Sequence, residues 1–246
     1  MVSQDREIRA GRRFGTRALA VFAVAFTAAV LFIIVLALVA SSSPSLLRLD
    51  RNISHDLHTF ALSHPGFTST MRFISDLGSG YAWWLIFAVV VAWLAYRRLF
   101  RLACFVLVTG IGSSLLNSLL KVTVDRARPN LADPVAVAAG KSFPSGHSQS
   151  AIVGYGILLV VFLPVIPRRW RGVAITAAAV MTLLIGFSRI ALGVHFLSDV
   201  VGAYLIGTVW LIGLISIFRA WRREIGKPPA KVAEGLEPES RQRLEP

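Results

Sequence analysis

Thiols and charges are scarce in this chain. It has one cysteine, Cys104, in 246 residues. That residue lies inside an apolar run, so neither a disulfide framework nor a thiolate metal cluster can form within the chain. Charged residues make up 16% of the sequence, against about 25% in an ordinary soluble domain. Acidic residues are scarcer still, with 13 Asp and Glu against 26 Lys and Arg. Apolar residues take their place, at 55% of the chain. The excess is too large for one soluble core. It excludes a disordered chain and a small disulfide scaffold, and it leaves an integral membrane protein. A formal charge of +13 would suggest nucleic acid in a soluble protein. In a membrane protein basic residues mark the cytoplasmic side, so their placement matters more than their number.

A membrane-crossing helix needs about 20 mostly apolar residues, at 1.5 Å each across roughly 30 Å. Six stretches meet or approach this: Ala18–Ala40, Tyr81–Tyr96, Leu102–Leu120, Ser148–Ile166, Gly172–Phe187 and Phe196–Phe218. The first carries no charge and is too long for a signal-peptide core, so it is expected to be retained. Eighteen of the 26 basic residues fall in the two tails and in the loops around Arg97 and Arg168. The other eight fall in the alternate loops. This puts both tails in the cytoplasm and requires an even number of spans. The expected fold is therefore all-α, an integral membrane bundle of six transmembrane helices. Residues 1–17 form a basic cytoplasmic tail, 18–221 the membrane domain, and 222–246 a polar, disordered cytoplasmic tail. In the first outer loop, Ser41–Gly80, Ile53, Leu57, Phe60 and Ala61 recur at helical spacing, which predicts a short helix lying on the membrane surface. Its His55, His58 and His64 read as a solvated polar face rather than a metal site.

Three polar clusters fall at helix ends on the outer side, where ionisable groups invite a functional reading. They are Lys121 to Pro129, Phe143-Pro144-Ser145-Gly146-His147-Ser148, and Ser188-Arg189 through His195 to Asp199. Lys121 is a point charge, and Arg128 and Arg189 are planar forks suited to phosphate oxygens. Ser145 is a helix cap and hydroxyl donor, and Gly146 lets backbone N–H groups approach an anion. His195 and Asp199 are four apart, so the carboxylate can fix one ring tautomer. His147 comes from another helix and can face the anion from the opposite side. One histidine attacks, the other donates a proton, and cations hold the transferring group. That is in-line phosphoryl transfer through a phosphohistidine. A zinc site from His147, His195 and Asp199 is the sharper rival, but Lys121, Arg128 and Arg189 would surround the dication with like charge. No metal or other cofactor is expected.

The clusters resemble the type 2 phosphatidic acid phosphatase family, which is related to the vanadium-dependent haloperoxidases. Its pattern is Lys-x6-Arg-Pro, Pro-Ser-Gly-His and Ser-Arg-x5-His-x3-Asp. Here it stands as Lys121 to Arg128-Pro129, Pro144-Ser145-Gly146-His147 and Ser188-Arg189 to His195 to Asp199, without a departure. The resemblance implies a metal-independent lipid phosphatase of six spans with an outward-facing site. It implies His195 as nucleophile, Asp199 as its orienting partner and His147 as general acid. Lys121, Arg128, Ser145, Gly146 and Arg189 would bind phosphate. Asp125 and Arg126 lie between motif positions and read as loop structure or substrate tuning. The implied substrates are phosphatidic acid, phosphatidylglycerol phosphate or undecaprenyl diphosphate, met at the outer face of a cell membrane. Arginine outnumbers lysine 22 to 4, a composition typical of a GC-rich genome. Two rivals stay open: a phosphotransferase with a lipid or sugar acceptor, and a non-enzymatic lipid-binding protein.

Overall fold

The computed structural model describes residues 2–224, 236–238 and 241–244. The architecture is all-α. Helix α1 spans Val2–Ala40, α2 Pro44–Ser63, α3 Pro65–Leu77, α4 Gly80–Tyr96, α5 Phe100–Val124, α6 Gly146–Phe162, α7 Arg168–Ala191, α8 Leu197–Glu224 and α9 Arg241–Leu244. Five segments are long and apolar enough to cross a membrane: Leu19–Ala40, Pro65–Tyr96, Phe100–Val124, Arg168–Ala191 and Leu197–Arg222. The sixth expected span is the shorter apolar helix Gly146–Phe162.

Helix boundaries differ from the expected spans in ways that matter for the site. The fourth expected span ends four residues early, because Pro164 and Pro167 stop α6. Helix α5 continues four residues past Leu120 and carries Lys121 in its last turn. Helix α7 likewise continues past Phe187 and carries Arg189 in its last turn. Both cations are thus fixed to rigid helix ends rather than to loops. Of residues 1–17, which the sequence reads as a basic tail, 2–17 belong to the helix that runs on into the first span, and their side chains lie outside the described residues. So does most of the expected polar tail. Its described parts lie against the α4–α5 loop, with Leu236 and Leu244 buried and Arg101 paired to Glu237 at 3.2 Å.

The main apolar core joins α4, α5, α6 and α8 through Trp83, Phe87, Leu94, Phe105, Val106, Val153, Ile157 and Phe218. Ring and backbone meet closely there. A Cβ on Gly154 would sit 2.3 Å from the Trp83 ring, so only glycine lets α4 and α6 approach this far. The same device works near the site. Phe143, fully buried, lies over Gly202 of α8, where an added Cβ would be 2.6 Å from its ring. This contact holds the start of the Pro-Ser-Gly-His segment against α8.

The first long loop departs most from expectation. It forms two helices, α2 and α3, each with proline at its first position, where the missing N–H costs nothing. Helix α2 does not present Ile53, Leu57 and Phe60 as its buried face. Its buried residues are Asp50, Ser54, His58 and Ala61. These four recur at helical spacing along one stripe, and α2 packs on α7 and α8 through it. His55 and His64 are exposed, as a solvated face requires. His58 is not: it is 4% exposed, with Nε2 2.7 Å from the Ala132 carbonyl. The helix covers protein with its polar side because buried partners await Asp50 and His58 Nε2.

Candidate active site

The C-terminal end of α5, the N-terminal ends of α6 and α8 and the C-terminal end of α7 meet at one end of the bundle. Between them runs the segment 125–145. Asp125 ends α5 in the left-handed conformation, at φ 53°, which turns the chain sharply into this segment. The segment is stitched down by its own backbone. Ser142 N–H donates to the Arg126 carbonyl at 2.9 Å, and Ser145 N–H donates to the Asp199 carbonyl at 3.1 Å.

Asp199 lies in the first turn of α8, where a carboxylate complements the helix dipole. It is fully buried. Its Oδ1 accepts from Arg126 Nη1 at 2.7 Å. Its Oδ2 accepts from the Phe196 N–H at 2.9 Å and from the Ser142 hydroxyl, and it lies 3.4 Å from His195 Nδ1. His195 itself stands just before α8, in the α7–α8 turn. Gly193 opens that turn with φ 67°, and an added Cβ would lie 2.5 Å from Leu131, so the turn excludes a side chain there.

The tautomer of His195 follows from its neighbours. Arg128 Nη1 lies 3.0 Å from His195 Nε2. A guanidinium has donors only, so Nε2 must be the acceptor and Nδ1 carries the proton toward Asp199. The hydrogen-bond network thus leaves an unprotonated nitrogen facing the cations. Burial, opposed in part by Asp199, pushes the ring down to about 4, so it is neutral near pH 7. Arg128 is held by three backbone carbonyls, Gly140 and Ala139 at 2.9 Å and Val194 at 2.7 Å.

The other cations share one property. Among the described residues, none of Lys121, Arg128 and Arg189 has a carboxylate oxygen within 4.0 Å. Lys121 Nζ donates to the Lys141 carbonyl at 3.1 Å. Arg189 is 8% exposed, donates through Nη1 to Ser75 Oγ, and leaves its buried Nε without an acceptor among the described residues. A cluster of like charges with a spare buried donor is costly unless an anion completes it. Ser145 caps α6 and accepts from the Ser148 hydroxyl at 2.9 Å, so its own proton is free to donate. The first N–H groups of α6, on Gly146 and His147, have no intrahelical acceptor. His147 is half-buried, hydrogen-bonds to none of the described residues, and lies within electrostatic reach of Arg189, His195, Lys121 and Arg128. All eight residues expected from the sequence therefore converge.

Other groups at this site escaped the sequence reading. Asp50, Ser75, Ser142 and Ser198 are buried polar side chains in direct contact with Arg126, Arg189 or Asp199. Arg126, by sequence a residue of loop structure or substrate tuning, has its guanidinium between Asp50 and Asp199 at 2.7 Å each, stacked over Phe196 at 4.4 Å from the ring centroid. Behind the Ser145 segment, Asn117 donates to Gln149 at 2.9 Å, and Gln149 donates to the Ser113 carbonyl at 2.9 Å. A cleft of about 210 Å³ runs between α4, α5 and α6 to His147, with Trp83, Trp84 and Phe87 on its apolar side.

Comparison with known proteins gives the family and the fold. The PAP2 superfamily model matches residues 100–223. The chain is 35% identical over 150 residues to phosphatidylglycerophosphatase B of Bacillus subtilis, covering 59% of this chain and 72% of that one. It is 24% identical over 171 residues to an undecaprenyl-diphosphatase of Sulfolobus acidocaldarius, covering 66% and 77%. The crystal structure of a transmembrane PAP2-type phosphatidylglycerolphosphate phosphatase from Bacillus subtilis superimposes with a TM-score of 0.70 at 27% identity. The overlap covers 78% of this chain and 94% of that one. The chain belongs to the PAP2 superfamily and is a multi-pass membrane protein.

The state of His195 has a measurable consequence. An unfolded histidine titrates near 6.5, whereas the folded ring resists the proton down to about 4. Between those values the unfolded chain binds the proton and the folded chain does not. Stability carried by this group is therefore full above 6.5 and is lost as pH falls toward 4. The melting temperature in detergent should fall across that interval, and less steeply in His195→Asn. Equal slopes in the two proteins would contradict a buried neutral ring.

Proposed function

We propose that the protein is a lipid phosphate phosphatase that works through a phosphohistidine. The observation that carries this reading is the convergence of Lys121, Arg128 and Arg189, none of them paired to a carboxylate among the described residues, around an unprotonated His195 Nε2. Simple anion binding needs the cations but no oriented imidazole. The names of the related proteins, which act on phosphatidylglycerophosphate and undecaprenyl diphosphate, support a lipid-borne phosphate as substrate.

In the first step the His195 Nε2 lone pair forms the N–P bond while the bond from phosphorus to the lipid oxygen breaks. His147 gives its proton to that leaving oxygen. Asp199 stabilises the positive charge that grows on the His195 ring. The cations, the Ser145 hydroxyl and the α6 N-terminus face the equatorial oxygens, where charge gathers in the transition state. In the second step His147 takes a proton from water, the new O–P bond forms and the N–P bond breaks. Inorganic phosphate leaves and both histidines return to their starting states. The three cations supply the charge that a metal would otherwise supply, so no metal is required. The lipid chain approaches along the cleft between α4, α5 and α6, whose aromatic side suits acyl or prenyl carbons and whose inner end is His147.

The physiological substrate is drawn from phosphatidylglycerol phosphate, undecaprenyl diphosphate and phosphatidic acid, at the outer face of the cytoplasmic membrane with both tails inside. Purified protein should release inorganic phosphate from at least one of these lipids in the presence of chelator. His195→Ala should lower that rate by about three orders of magnitude or more. Rapid turnover by the variant, or activity that returns only with added zinc, would sink the mechanism. The orientation is checked separately. Lys141 is exposed at the site end, so a membrane-impermeant amine reagent should label it in intact cells and should label Lys227 only after lysis. The reverse pattern would invert the topology.

A further inference from the structure

Asp50 is buried without contact to any of the eight phosphate-site residues except through others. It stands on α2, well outside residues 100–223 matched by the family model. Its side chain is fully buried. Its Oδ1 accepts from the Ser198 N–H of α8 at 3.0 Å, and its Oδ2 accepts from the Ser198 hydroxyl and from Arg126 Nη2, the latter at 2.7 Å. The other arm of the same guanidinium, Nη1, holds Asp199 Oδ1 at 2.7 Å. A continuous chain of contacts thus runs Asp50, Arg126, Asp199, His195.

From this arrangement we infer that Asp50 is a positioning residue for the phosphatase reaction, acting on His195 through Arg126 and Asp199. The inference rests on the reading of the site given above. Three features set it apart from an ordinary helix-to-helix ion pair. First, charge: a guanidinium bound to Asp199 alone would neutralise the carboxylate that must stabilise the His195 cation. Asp50 shares that guanidinium, so two carboxylates and one cation leave a net negative charge on the Nδ1 side of the ring, opposite Arg128 at Nε2. Second, geometry: with Oδ1 occupied by Arg126, Asp199 must turn Oδ2 toward Ser142, the Phe196 N–H and His195. Arg126 can hold that pose because Asp50 and the Phe196 ring fix its plane. Third, the helix: Asp50 takes the Ser198 N–H, one of the unpaired donors of the first turn of α8. That anchors the turn on which Asp199 sits. A helix from outside the matched residues 100–223 thereby completes the machinery of the matched core.

The test is a kinetic double-mutant cycle on the full-length protein in detergent, with phosphate release from the lipid that the wild type turns over best. Asp50→Asn keeps the shape and removes the charge. It should lower kcat by about 10- to 100-fold, as loss of outer groups that orient a reacting ligand commonly does. KM should stay within about threefold, since no phosphate contact is lost. Arg126→Gln should lower kcat at least as far. The double variant should be no slower than Arg126→Gln alone, because Asp50 acts through that guanidinium. Multiplying effects, a change confined to KM, or wild-type kcat in Asp50→Asn would overturn the proposal. If Asp50→Asn does not yield folded protein, Arg126→Lys carries the test. It keeps the charge but lacks the planar fork that holds both carboxylates in their present pose, so kcat should fall with KM retained, and wild-type kcat there would overturn the proposal equally. Absence of phosphate release from the wild type would count against the function itself, not against Asp50.

Discussion

One buried carboxylate organises the site end of this protein. Asp199 is removed from water at the start of α8, and a charge in that position persists only if every lone pair is met. Arg126, Ser142, the Phe196 N–H and His195 meet them. Those four groups come from the segment after α5, the segment before α6 and the α7–α8 turn. Satisfying one carboxylate therefore fixes three stretches of chain against each other. The groups proposed to face phosphate lie on those same stretches or on the helix ends that flank them.

The cost of the arrangement is visible in the cations. Lys121, Arg128 and Arg189 stand together without a carboxylate partner within ion-pair distance among the described residues, and Arg189 Nε has no acceptor. Backbone carbonyls and Ser75 hold them only in part. Such a cluster is poised rather than relaxed, which is what electrostatic catalysis needs: donors already aimed where charge will develop. The glycines at 154 and 202 belong to the same economy of space. By letting Trp83 and Phe143 come into backbone contact, they place α4 and the Ser145 segment close enough to complete the cleft and the cradle.

Much of this was legible in the sequence. The spacing of Lys121 to Arg128, of Ser145 to His147 and of Arg189 through His195 to Asp199 places chemistry at helix ends, and alternation of the basic loops puts those ends on one side. What stayed hidden shares a cause. Asp50, Ser54 and His58 form a polar stripe at helical spacing, and a polar stripe reads as a solvated face. Only the fold reveals that Ser198, 148 residues away, lies beneath it. Arg126 was hidden differently: a basic residue in a basic loop has no local mark of its two carboxylate partners. The length of α5 and α7 was also understated, because Lys121 and Arg189 look like span limits. Their charges in fact ride the last helical turns into the site.

In the proposed mechanism His195, oriented by Asp199, takes the phosphoryl group. Its most direct measurement is to mix the protein with a turned-over lipid phosphate, quench within milliseconds in base, and locate any bound phosphate by peptide mass spectrometry. An acid-labile, base-stable phosphate should appear on His195, be absent from His195→Ala and form as fast as turnover requires. Phosphate on His147, or full turnover with no covalent phosphate at any time, would contradict it.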